Sequence, residues 1–356
     1  MSLNNKDDVN TPHEESRSRE YRKATLADVA KHAQVSTATV SRCFSDPDKV
    51  TPALRAKVEA SISTLSYTPH GVARALATQR SRTIGVIVPT LDIASFAKGV
   101  QALQERLFAA NNSTLLAISN YDREEELRHA KSLIFHGVDG IVLVGLDHDP
   151  SLYELLERSR TPFVNTWAYD KNSKYSCIGF DNRKAVHMMT DHVLDLGHRN
   201  IAMIVGGGIT QANDRSRERK AGFIEALKIR NIANPDQRIL EVPYSMEGGR
   251  IALRQLMSEK DPPTAIICGS DLFAIGAMLE CQKLGINIPD SLSITGFDDL
   301  EISKNMMPAL TTVHVPAQKM GMLAAEYLLS CLDNDYELIR TELDFNLIIR
   351  DTVHHL

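Results

Sequence analysis

The chain has 356 residues, of which 43% are hydrophobic and 24% are charged, and its formal net charge is -5. This length predicts two or three domains, and the composition is that of a soluble globular protein. The polar start and the absence of an apolar run of about 20 residues argue against a secretory signal and a membrane span. Five dispersed cysteines without paired spacing favour reduced thiols in a cytoplasm over a disulfide or zinc framework.

Charge is unevenly distributed along the chain. Residues 1–23, expected to be a disordered tail, carry equal numbers of basic and acidic side chains. Residues 24–83 carry eight basic and four acidic side chains, a net charge of +4, which leaves -9 on the remainder. A basic amino-terminal module on an acidic body is the asymmetry expected when a DNA-binding module is joined to another domain. A solvated charge bias without a nucleic-acid partner is the alternative interpretation.

Residues 24–67 are predicted to form a three-helix unit. Thr25 and Asp28 are spaced to form a capping box at the first helix, and Ser36 is placed to cap the second. The third helix is predicted to begin with Thr51 as its cap and a proline at its first position. Apolar residues that repeat at helical spacing supply a small core: Leu26, Val29, Ala30, Val40, Phe44, Leu54, Val58, Ile62 and Leu65.

The second helix has the composition of a DNA recognition helix. The side opposite its apolar residues carries Thr37, Ala38, Ser41 and Arg42, all of which are small or basic. Short side chains let the first turn approach base edges in the major groove, and Arg42 can form two hydrogen bonds with one guanine. Two short helices joined by a turn are, by themselves, equally consistent with a helical hairpin that binds nothing.

Four phrases of this segment form a pattern: Asp28-Val29-Ala30, Val35-Ser36, Thr39-Val40-Ser41-Arg42 and Ala73-Arg74-Ala75-Leu76. In order and spacing they resemble the headpiece and hinge of the lactose/galactose repressor (LacI/GalR) family. The resemblance implies a homodimer bound to a pseudo-palindromic operator of double-stranded DNA. The DNA contacts that it implies are Thr25, Ser36, Thr37, Ala38, Thr39, Ser41, Arg42, Arg74 and Leu76.

Residues 68–83 are predicted to be a linker that contains a hinge helix. Because residues 71–77 are fewer than the roughly 12 that an isolated helix needs, this helix is expected to order only when it pairs with its copy on DNA. The resemblance implies that Leu76 inserts between base pairs in the minor groove. Packing of Leu76 against the body is the alternative.

From residue 84 onward, short β-branched runs alternate with amphipathic segments, which predicts an α/β body with parallel sheets and right-handed crossovers. Strands are predicted at residues 84–88, 115–118, 141–144, 163–165, 177–180, 201–205, 265–268 and 293–297. Predicted helices include residues 123–135, 182–196, 215–229, 247–257, 271–284 and 318–332. The expected fold is therefore an all-α helix-turn-helix headpiece and hinge helix, followed by two doubly wound lobes.

The body also resembles that of the LacI/GalR family, a two-lobed core like that of periplasmic binding proteins. Matching phrases are Leu196-Gly197-His198-Arg199 and Gly296-Phe297-Asp298-Asp299. The resemblance divides residues 84–356 into an effector-binding and dimerisation core of two lobes. One lobe comprises about residues 84–181 and 298–332, and the other about residues 182–297 and 333–356.

A ligand site is expected between the lobes. Asp271 follows a strand and opens a helix, where it would either cap that helix or bind a ligand. The resemblance implies Asp271 and Arg219 as effector contacts, and an Arg–Asp pair facing across a cleft suits a polyol or a carboxylate. Trp167 would either stack on a ring or pack in the core, and Asn213 and Asp181 are candidates by position only.

The expected function is ligand-controlled transcription repression without catalysis. The sequence contains no metal-ligand spacing, phosphate-binding loop or nucleophile elbow, so neither a metal nor a cofactor is expected. A phrase at residues 178–182 favours the gluconate-type branch of the family and a sugar-acid effector, ahead of neutral sugars and then purines. The loop after the first strand of the body is about three residues shorter than in the family, so the ligand cannot be inferred by analogy.

The sequence also bears on two alternatives, one for the class of protein and one for its oligomeric state. A periplasmic-type sugar-binding protein would share the body, but it would have no use for residues 25–76. No heptad repeat follows the last predicted strand, which favours a dimer over a tethered tetramer.

Overall fold

The computed structural model describes residues 23–68, 80–207, 213–333 and 336–356. The chain divides into two compact units, Met1–Ser81 and Arg82–Leu356. The predicted tail, apart from Lys23, and the predicted hinge with Arg74 and Leu76 lie outside the described residues. In the part of the chain that is described, no helix combines the length and apolar character needed to cross a bilayer.

The first unit contains three helices and a short 3-10 turn at Pro47–Lys49. The helices are α1 (Leu26–Ala33), α2 (Thr37–Ser45) and α3 (Pro52–Thr64). The capping box at Thr25 and the cap at Ser36 are both confirmed. Thr51 precedes α3 as predicted, but its side chain makes no capping hydrogen bond. The proline at the first position lacks one of the amide donors that the start of a helix leaves unpaired.

The core of this unit is small. Val29, Ala30, Val40 and Val58 are buried as predicted, and Leu26, Phe44, Ile62 and Leu65 pack around them. Ala33 and Tyr67 also belong to this core and were not predicted. Leu54 was predicted to join it but is half-buried outside the cluster. A core of this size depends on its helix caps for much of its stability.

The second unit is an α/β body. Its strands are β1 (Thr83–Val88), β2 (Ser113–Ile118), β3 (Gly140–Val144), β4 (Phe163–Thr166), β5 (Cys177–Gly179), β6 (Ile201–Gly206), β7 (Ile239–Val242), β8 (Ala265–Cys268), β9 (Ser293–Thr295), β10 (Thr312–His314), β11 (Arg340–Glu342) and β12 (Asn346–Ile348). Its helices are α4 (Ala94–Ala109), α5 (Arg123–Phe135), α6 (Pro150–Ser159), α7 (Asn182–Asp195), α8 (Asp214–Ile229), α9 (Met246–Met257), α10 (Asp271–Leu284) and α11 (Ala317–Leu332).

These elements form two lobes, as expected for the two-lobed core. The first lobe contains a parallel sheet in the order β11-β5-β4-β3-β1-β2, and the second a parallel sheet in the order β7-β6-β8-β9. Helices α4 and α11 pack together in the first lobe, while α7 packs on α8 and α9 on α10 in the second. Buried apolar clusters lie on both faces of each sheet, which explains the continuous apolar runs in β1, β3, β6 and β8.

The strands and helices predicted for the body with stated bounds are all present, with ends that differ by at most two residues. Four strands were missed. Three of these, β7, β11 and β12, have only three or four residues and are at most partly buried over most of their length, so each is too short to give a clear strand pattern. The assignment of residues 333–356 to the second lobe fails for β11, which pairs with β5 in the first lobe.

The chain passes between the lobes three times, and these crossings position the functional site. The first crossing follows β5, the second follows β9, and the third follows β11. After the third, the chain end returns to the second lobe, where Ile294 donates to the carbonyl of Thr352 and Leu356 donates to that of Leu196. Residues next to a crossing can therefore contact both lobes.

Candidate functional site

Helix α2 exposes the side chains that were predicted to read bases. Thr37, Ala38 and Arg42 are exposed to solvent. Ser36 accepts a hydrogen bond from the backbone N–H of Thr39 at 3.1 Å, which fixes the first turn. An ordered first turn with short, exposed side chains is the geometry that a major groove can admit.

Four other predicted DNA contacts are partly engaged within the first unit. The hydroxyl of Thr25 donates to Asp28 Oδ2 at 2.7 Å, and the hydroxyls of Ser36 and Thr39 lie 2.9 Å apart. Ser41 is half-buried. These groups order the helices before DNA arrives. A phosphate accepts hydrogen bonds, so what it could still use are hydroxyl and backbone N–H donors that are not engaged within the unit.

The first turn of α8 connects the two lobes of the body. Asp214 Oδ2 accepts a hydrogen bond from the backbone N–H of Leu146 at 2.6 Å, and Arg215 Nη1 donates to the carbonyl of Val144 at 3.0 Å. Both partners lie at the carboxyl end of β3, where parallel sheets bind ligands. Gly145, with φ of 104°, allows this approach, since a Cβ there would collide with the guanidinium of Arg215.

A cavity of about 530 Å³ lies in the cleft beside this connection. Its volume falls within the range of small-molecule sites, roughly 300–1,000 Å³. Residues of both lobes form its walls, and many are polar or charged, including Asp147, Tyr169, Asp181, Asn182, Arg215 and Arg217. Such walls suit a hydroxylated or charged ligand better than an apolar one.

Arg219 is held next to the first crossing by contacts on several sides. Its Nε donates to Asn182 Oδ1 at 2.9 Å, its Nη1 donates to the carbonyl of Gly269 at 2.6 Å, and its guanidinium lies 3.7 Å from the ring centre of Phe297. Only 6% of Arg219 is exposed. Burial lowers its pKa, and the nearby carboxyl of Asp298 opposes that effect. Arg219 is therefore a positioned, desolvated cation.

The acidic group that most strongly influences Arg219 is Asp298, which belongs to a phrase noted in the sequence but was not predicted as a contact. Asp298 is 8% exposed, and its φ of 122° is unfavourable for a residue with a side chain. It accepts hydrogen bonds from Ser270 at 2.9 Å and, from the first lobe, Ser95 at 3.4 Å. Burial raises the pKa of Asp298, and although Arg219 lowers it, the pKa reaches about 7. The unusual φ and the raised pKa together make Asp298 a candidate functional residue.

Asp271 lies in a different environment from the one predicted. It is completely buried, and its Oδ2 accepts hydrogen bonds from the N–H of Leu300 at 2.8 Å and the hydroxyl of Ser303 at 2.6 Å. Its Oδ1 accepts from Thr312 at 2.5 Å. Burial raises the pKa of Asp271, and these hydrogen bonds oppose the rise. The carboxylate thus ties α10 to the second crossing.

Two expectations about Asp271 are wrong. The cap of α10 is Ser270, whose hydroxyl accepts from the N–H of Leu272, while Asp271 is the first helical residue. Asp271 and Arg219 also do not face each other across the cleft, because α8 and α10 both belong to the second lobe. The carboxyl whose charge acts most strongly on Arg219 is that of Asp298 instead.

Trp167 packs as core, the second of its two expected roles. The residue is buried, its ring lies 5.1 Å from that of Phe96, and its edge approaches Gly99 so closely that no Cβ would fit there. Its carbonyl accepts a hydrogen bond from Asn182 at 2.9 Å. Its indole Nε1 has no hydrogen-bond partner among the described residues, so one donor remains for a ligand or a water molecule.

Asn213 and Asp181 serve as helix caps at the cleft. Asn213 Oδ1 accepts from the N–H of Ser216 at 3.0 Å, which caps α8, and Asp181 Oδ1 accepts from the N–H of Lys184 at 2.9 Å, which caps α7. Both residues also line cavities in the cleft. Their capping role is thus established by geometry, and their contact with an effector stays a prediction.

Several cleft residues were missed by the sequence analysis. Asn182 bridges Arg219 and Trp167, and Arg215 connects the lobes. One signal could have found Arg215, since it precedes Arg219 by four residues and therefore lies on the same helix face. The position of Asn182 depends on where the chain crosses between lobes, for which the sequence carries no local signal.

Comparison with known proteins identifies both units. The profile described as "Bacterial regulatory proteins, lacI family" matches residues 25–70, and the profile described as "Periplasmic binding protein-like domain" matches residues 190–353. The HTH-type transcriptional repressor PurR of Pectobacterium atrosepticum is 30% identical over 88% of this chain and 92% of its own length. In Escherichia coli K12, the repressor CytR is 31% identical over 94% of this chain and 97% of its own, and the regulator GntR is 31% identical over 87% and 92%.

Solved structures agree with these relatives. A lac repressor dimer bound to operator and the anti-inducer ONPF is 26% identical, covers 94% of this chain and all of its own, and superposes with a TM-score of 0.82. The regulator CelR in complex with cellobiose is 25% identical, covers 92% and 99%, and has a TM-score of 0.69. The chain belongs to the lacI family of helix-turn-helix transcriptional repressors, whose DNA binding is regulated by small-molecule effectors.

Proposed function

We propose that this protein is a cytoplasmic homodimer that represses transcription from a pseudo-palindromic operator, under the control of a carbohydrate or sugar acid held between the lobes. The observation that supports the ligand most directly is the buried pair of Arg219 and Asp298 beside a crossing between the lobes. A fixed guanidinium offers directional donors and the carboxyl offers an acceptor, a combination that suits neighbouring hydroxyls or a carboxylate.

The DNA-binding part of the proposal rests on α2. Thr37, Ala38 and Arg42 would enter the major groove of each half-site, and the partner copy would read the second half-site one helical turn away. The resemblance adds Arg74 and Leu76 as minor-groove contacts at the centre of the operator. Effector binding would change the arrangement of the lobes and thereby shift operator affinity, with a coupling of about 1–3 kcal/mol.

Homodimerisation is supported by an exposed apolar surface on the second lobe. Leu279 of α10 and Met307 line a groove of about 300 Å³, and their exposed fractions are 38% and 96%. Exposed apolar side chains that cluster in this way mark interaction surfaces in soluble proteins. A second copy of this chain is the proposed occupant, since the structurally similar lac repressor is a dimer on its operator.

A carbohydrate is the favoured ligand class, and a purine is the second candidate. The structurally similar CelR was solved with cellobiose, and the polar cavity walls favour a polyol. One observation favours a planar ligand instead: Tyr121 and Tyr244, one from each lobe, stack with ring centres 4.4 Å apart. Slight opening of the cleft would let a purine ring enter between the two phenols.

The experiment measures operator binding and ligand response in the same protein. DNA from upstream of the gene is titrated with full-length protein by fluorescence anisotropy, alone and with D-gluconate, cellobiose or hypoxanthine. Arg219→Gln is expected to keep DNA affinity while weakening the ligand response at least about tenfold. Arg230→Gln, at the far end of the same helix and ion-paired with Asp195 at 2.6 Å, is the matched control.

The outcomes separate the parts of the proposal. Absence of a specific DNA complex under every condition would contradict repression. A response to hypoxanthine alone would replace the carbohydrate with a purine. If Arg219→Gln responded to the ligand as wild type does, the buried pair would not be the binding site.

A further inference from the structure

We propose that His148, paired with Glu126 in the first lobe, is a positioning residue that makes closure of the cleft proton-dependent by holding the β3 loop, residues 144–148, against α8. This inference rests on the proposed function, because it concerns regulation of the same cleft. Neither residue lines the cavity of about 530 Å³, although both line the smaller cavity that Asn213 also lines. The role proposed here is support of the loop rather than contact with the ligand.

Both nitrogens of the His148 ring face acceptors. Nδ1 lies 2.7 Å from Glu126 Oε2, and Nε2 lies 3.1 Å from the carbonyl oxygen of Gly145. The His148 side chain is only 2% exposed, so water cannot replace either partner. A neutral imidazole has one N–H, whereas the protonated ring has two. A charged ring can therefore donate to both groups at once, which a neutral ring cannot do.

The β3 loop is anchored on one side within the first lobe. The hydroxyl of Tyr153 on α6 donates to the carbonyl of Leu146 at 2.9 Å, and the Tyr153 ring meets His148 edge to face at 5.5 Å. Together with the bond from His148 to Gly145, these contacts orient the peptide between Gly145 and Leu146. The N–H of Leu146 is thereby aimed at Asp214 of the second lobe, 2.6 Å away.

The charges around His148 couple the loop to the opposite lobe. Two carboxylates face His148: Glu126 from α5 and Asp214 from α8. Arg215 forms an ion pair with Asp214. Asp147, which precedes His148 in the chain, forms ion pairs at 2.6 Å with both Arg123 and Arg217. Burial by itself would lower the pKa of His148, but the pair with Glu126, the charge of Asp214 and the carbonyl of Gly145 raise it.

The pKa of Asp214 is lowered, whereas that of His148 is raised. Burial by itself would raise it, but Arg215, the N–H of Leu146 and the charge of His148 lower it. Since Asp214 belongs to the second lobe, its attraction for His148 is strong only when the cleft is closed. Closure therefore favours protonation of His148, and by reciprocity protonation favours closure.

The sign of the pH dependence follows from this linkage. Because Asp214 raises the pKa of His148 only when the cleft is closed, the stabilisation of closure is complete at a pH below the pKa of His148 in the open protein. It is lost as the pH rises through the pKa of the closed state. A neutral ring would then leave either the Glu126 carboxylate or the Gly145 carbonyl buried without its donor.

The first test follows the protonation of His148 directly in the full-length protein. Histidine-selective labelling and an NMR titration would give the midpoint for each ring, with His148→Gln identifying the signal. We expect Asp214→Asn to lower the His148 midpoint relative to wild type. His187→Gln is the control, because His187 forms a more exposed pair with Asp191 at 3.3 Å on α7. An unchanged His148 midpoint in Asp214→Asn would overturn the coupling.

A second measurement keeps the inference testable if Asp214→Asn does not fold. Hydrogen exchange of the peptide that contains Leu146 is compared between variants at about pH 6 and about pH 8. Relative to His187→Gln at each pH, His148→Gln should lose protection mainly at the lower pH. Equal protection in the two variants at both pH values would overturn the proposal. Neither test needs DNA or an effector, so its result is independent of whether the proposed function holds.

Discussion

Hydrogen bonds in the headpiece join residues that are close in sequence, whereas hydrogen bonds in the cleft join residues that are far apart in sequence. Thr25 and Asp28 in the headpiece close a capping box across three residues, whereas Ser95 and Asp298 in the cleft are separated by 203 positions. Local bonds allow the headpiece to order its helices without burying the side chains that would read DNA. The cleft, in contrast, exists only when the whole body has folded.

The same residue type is used in opposite ways in these two regions. Arg42 is exposed, so its charge is hydrated and screened by salt until DNA replaces the water. Arg219 is buried, so the cost of desolvation is met during folding and its charge acts strongly on whatever enters the cleft. The comparison therefore predicts large effects for substitutions in the cleft and smaller, local effects in the headpiece.

The largest effect is expected for Asp271→Ala. Removal of the carboxylate leaves the donors from Leu300, Ser303 and Thr312 without an acceptor in a buried position. We expect a loss of about 4 kcal/mol in the free energy of unfolding, measured by denaturant titration of the full chain. Asp261→Ala, at a side chain that is 82% exposed, is the control and should change little. Near-normal stability with loss of ligand binding would restore Asp271 as an effector contact.

The next effect concerns pH and Asp298. Its pKa rises from 3.8 to about 7 in the folded protein, so between these values the folded state retains a proton that the unfolded state has released. Stability should therefore fall as the pH rises through this window, by about 4 kcal/mol in total. Asp298→Asn should remove most of this slope in unfolding experiments at several pH values.

The control for the Asp298 prediction is its neighbour. Burial would raise the pKa of Asp299, but Arg350 and His314 lower it, so its contribution to stability has the opposite sign and lies at lower pH. Asp299→Asn should leave the slope between 3.8 and about 7 in place. If the unfolding free energy of Asp298→Asn changed with pH as it does in wild type, groups other than Asp298 would carry the proton.

The contrast between local and distant bonds also explains what could be predicted from sequence. The caps at Thr25 and Ser36 and the apolar strands were found because their signals lie within a few neighbouring residues. The environment of Asp271 was not predicted, because the local sequence of a carboxylate after a strand is the same whether the side chain faces a cleft or packs against another segment of the chain. Asp298 was overlooked because its role depends on a crossing between lobes and on an unusual φ, neither of which has a local signature.

A smaller effect, confined to DNA binding, is expected for Arg42→Ala. Loss of a two-hydrogen-bond contact with guanine should weaken operator binding by about 1–3 kcal/mol, or roughly 5- to 150-fold, without changing stability. The matched control is Arg55→Ala on α3, which removes the same charge from a side chain paired with Glu59 at 2.9 Å. Anisotropy titrations at one fixed salt concentration compare them. Equal losses in both variants would mean that Arg42 contributes only general charge.

The smallest effect is expected at two threonines that each occupy the N-cap position of a helix in the headpiece. Thr25 accepts the hydrogen bond that caps α1, whereas Thr51 precedes α3 without a capping bond from its side chain. Thr25→Ala should therefore lower the local opening free energy of α1 by about 1 kcal/mol, and Thr51→Ala should leave that of α3 nearly unchanged. Hydrogen exchange of the amides in the first turns, in the full-length protein, measures both. Equal losses would show that a threonine at the cap position stabilises these helices by some means other than the hydrogen bond, and the local character of the headpiece would then need a different explanation.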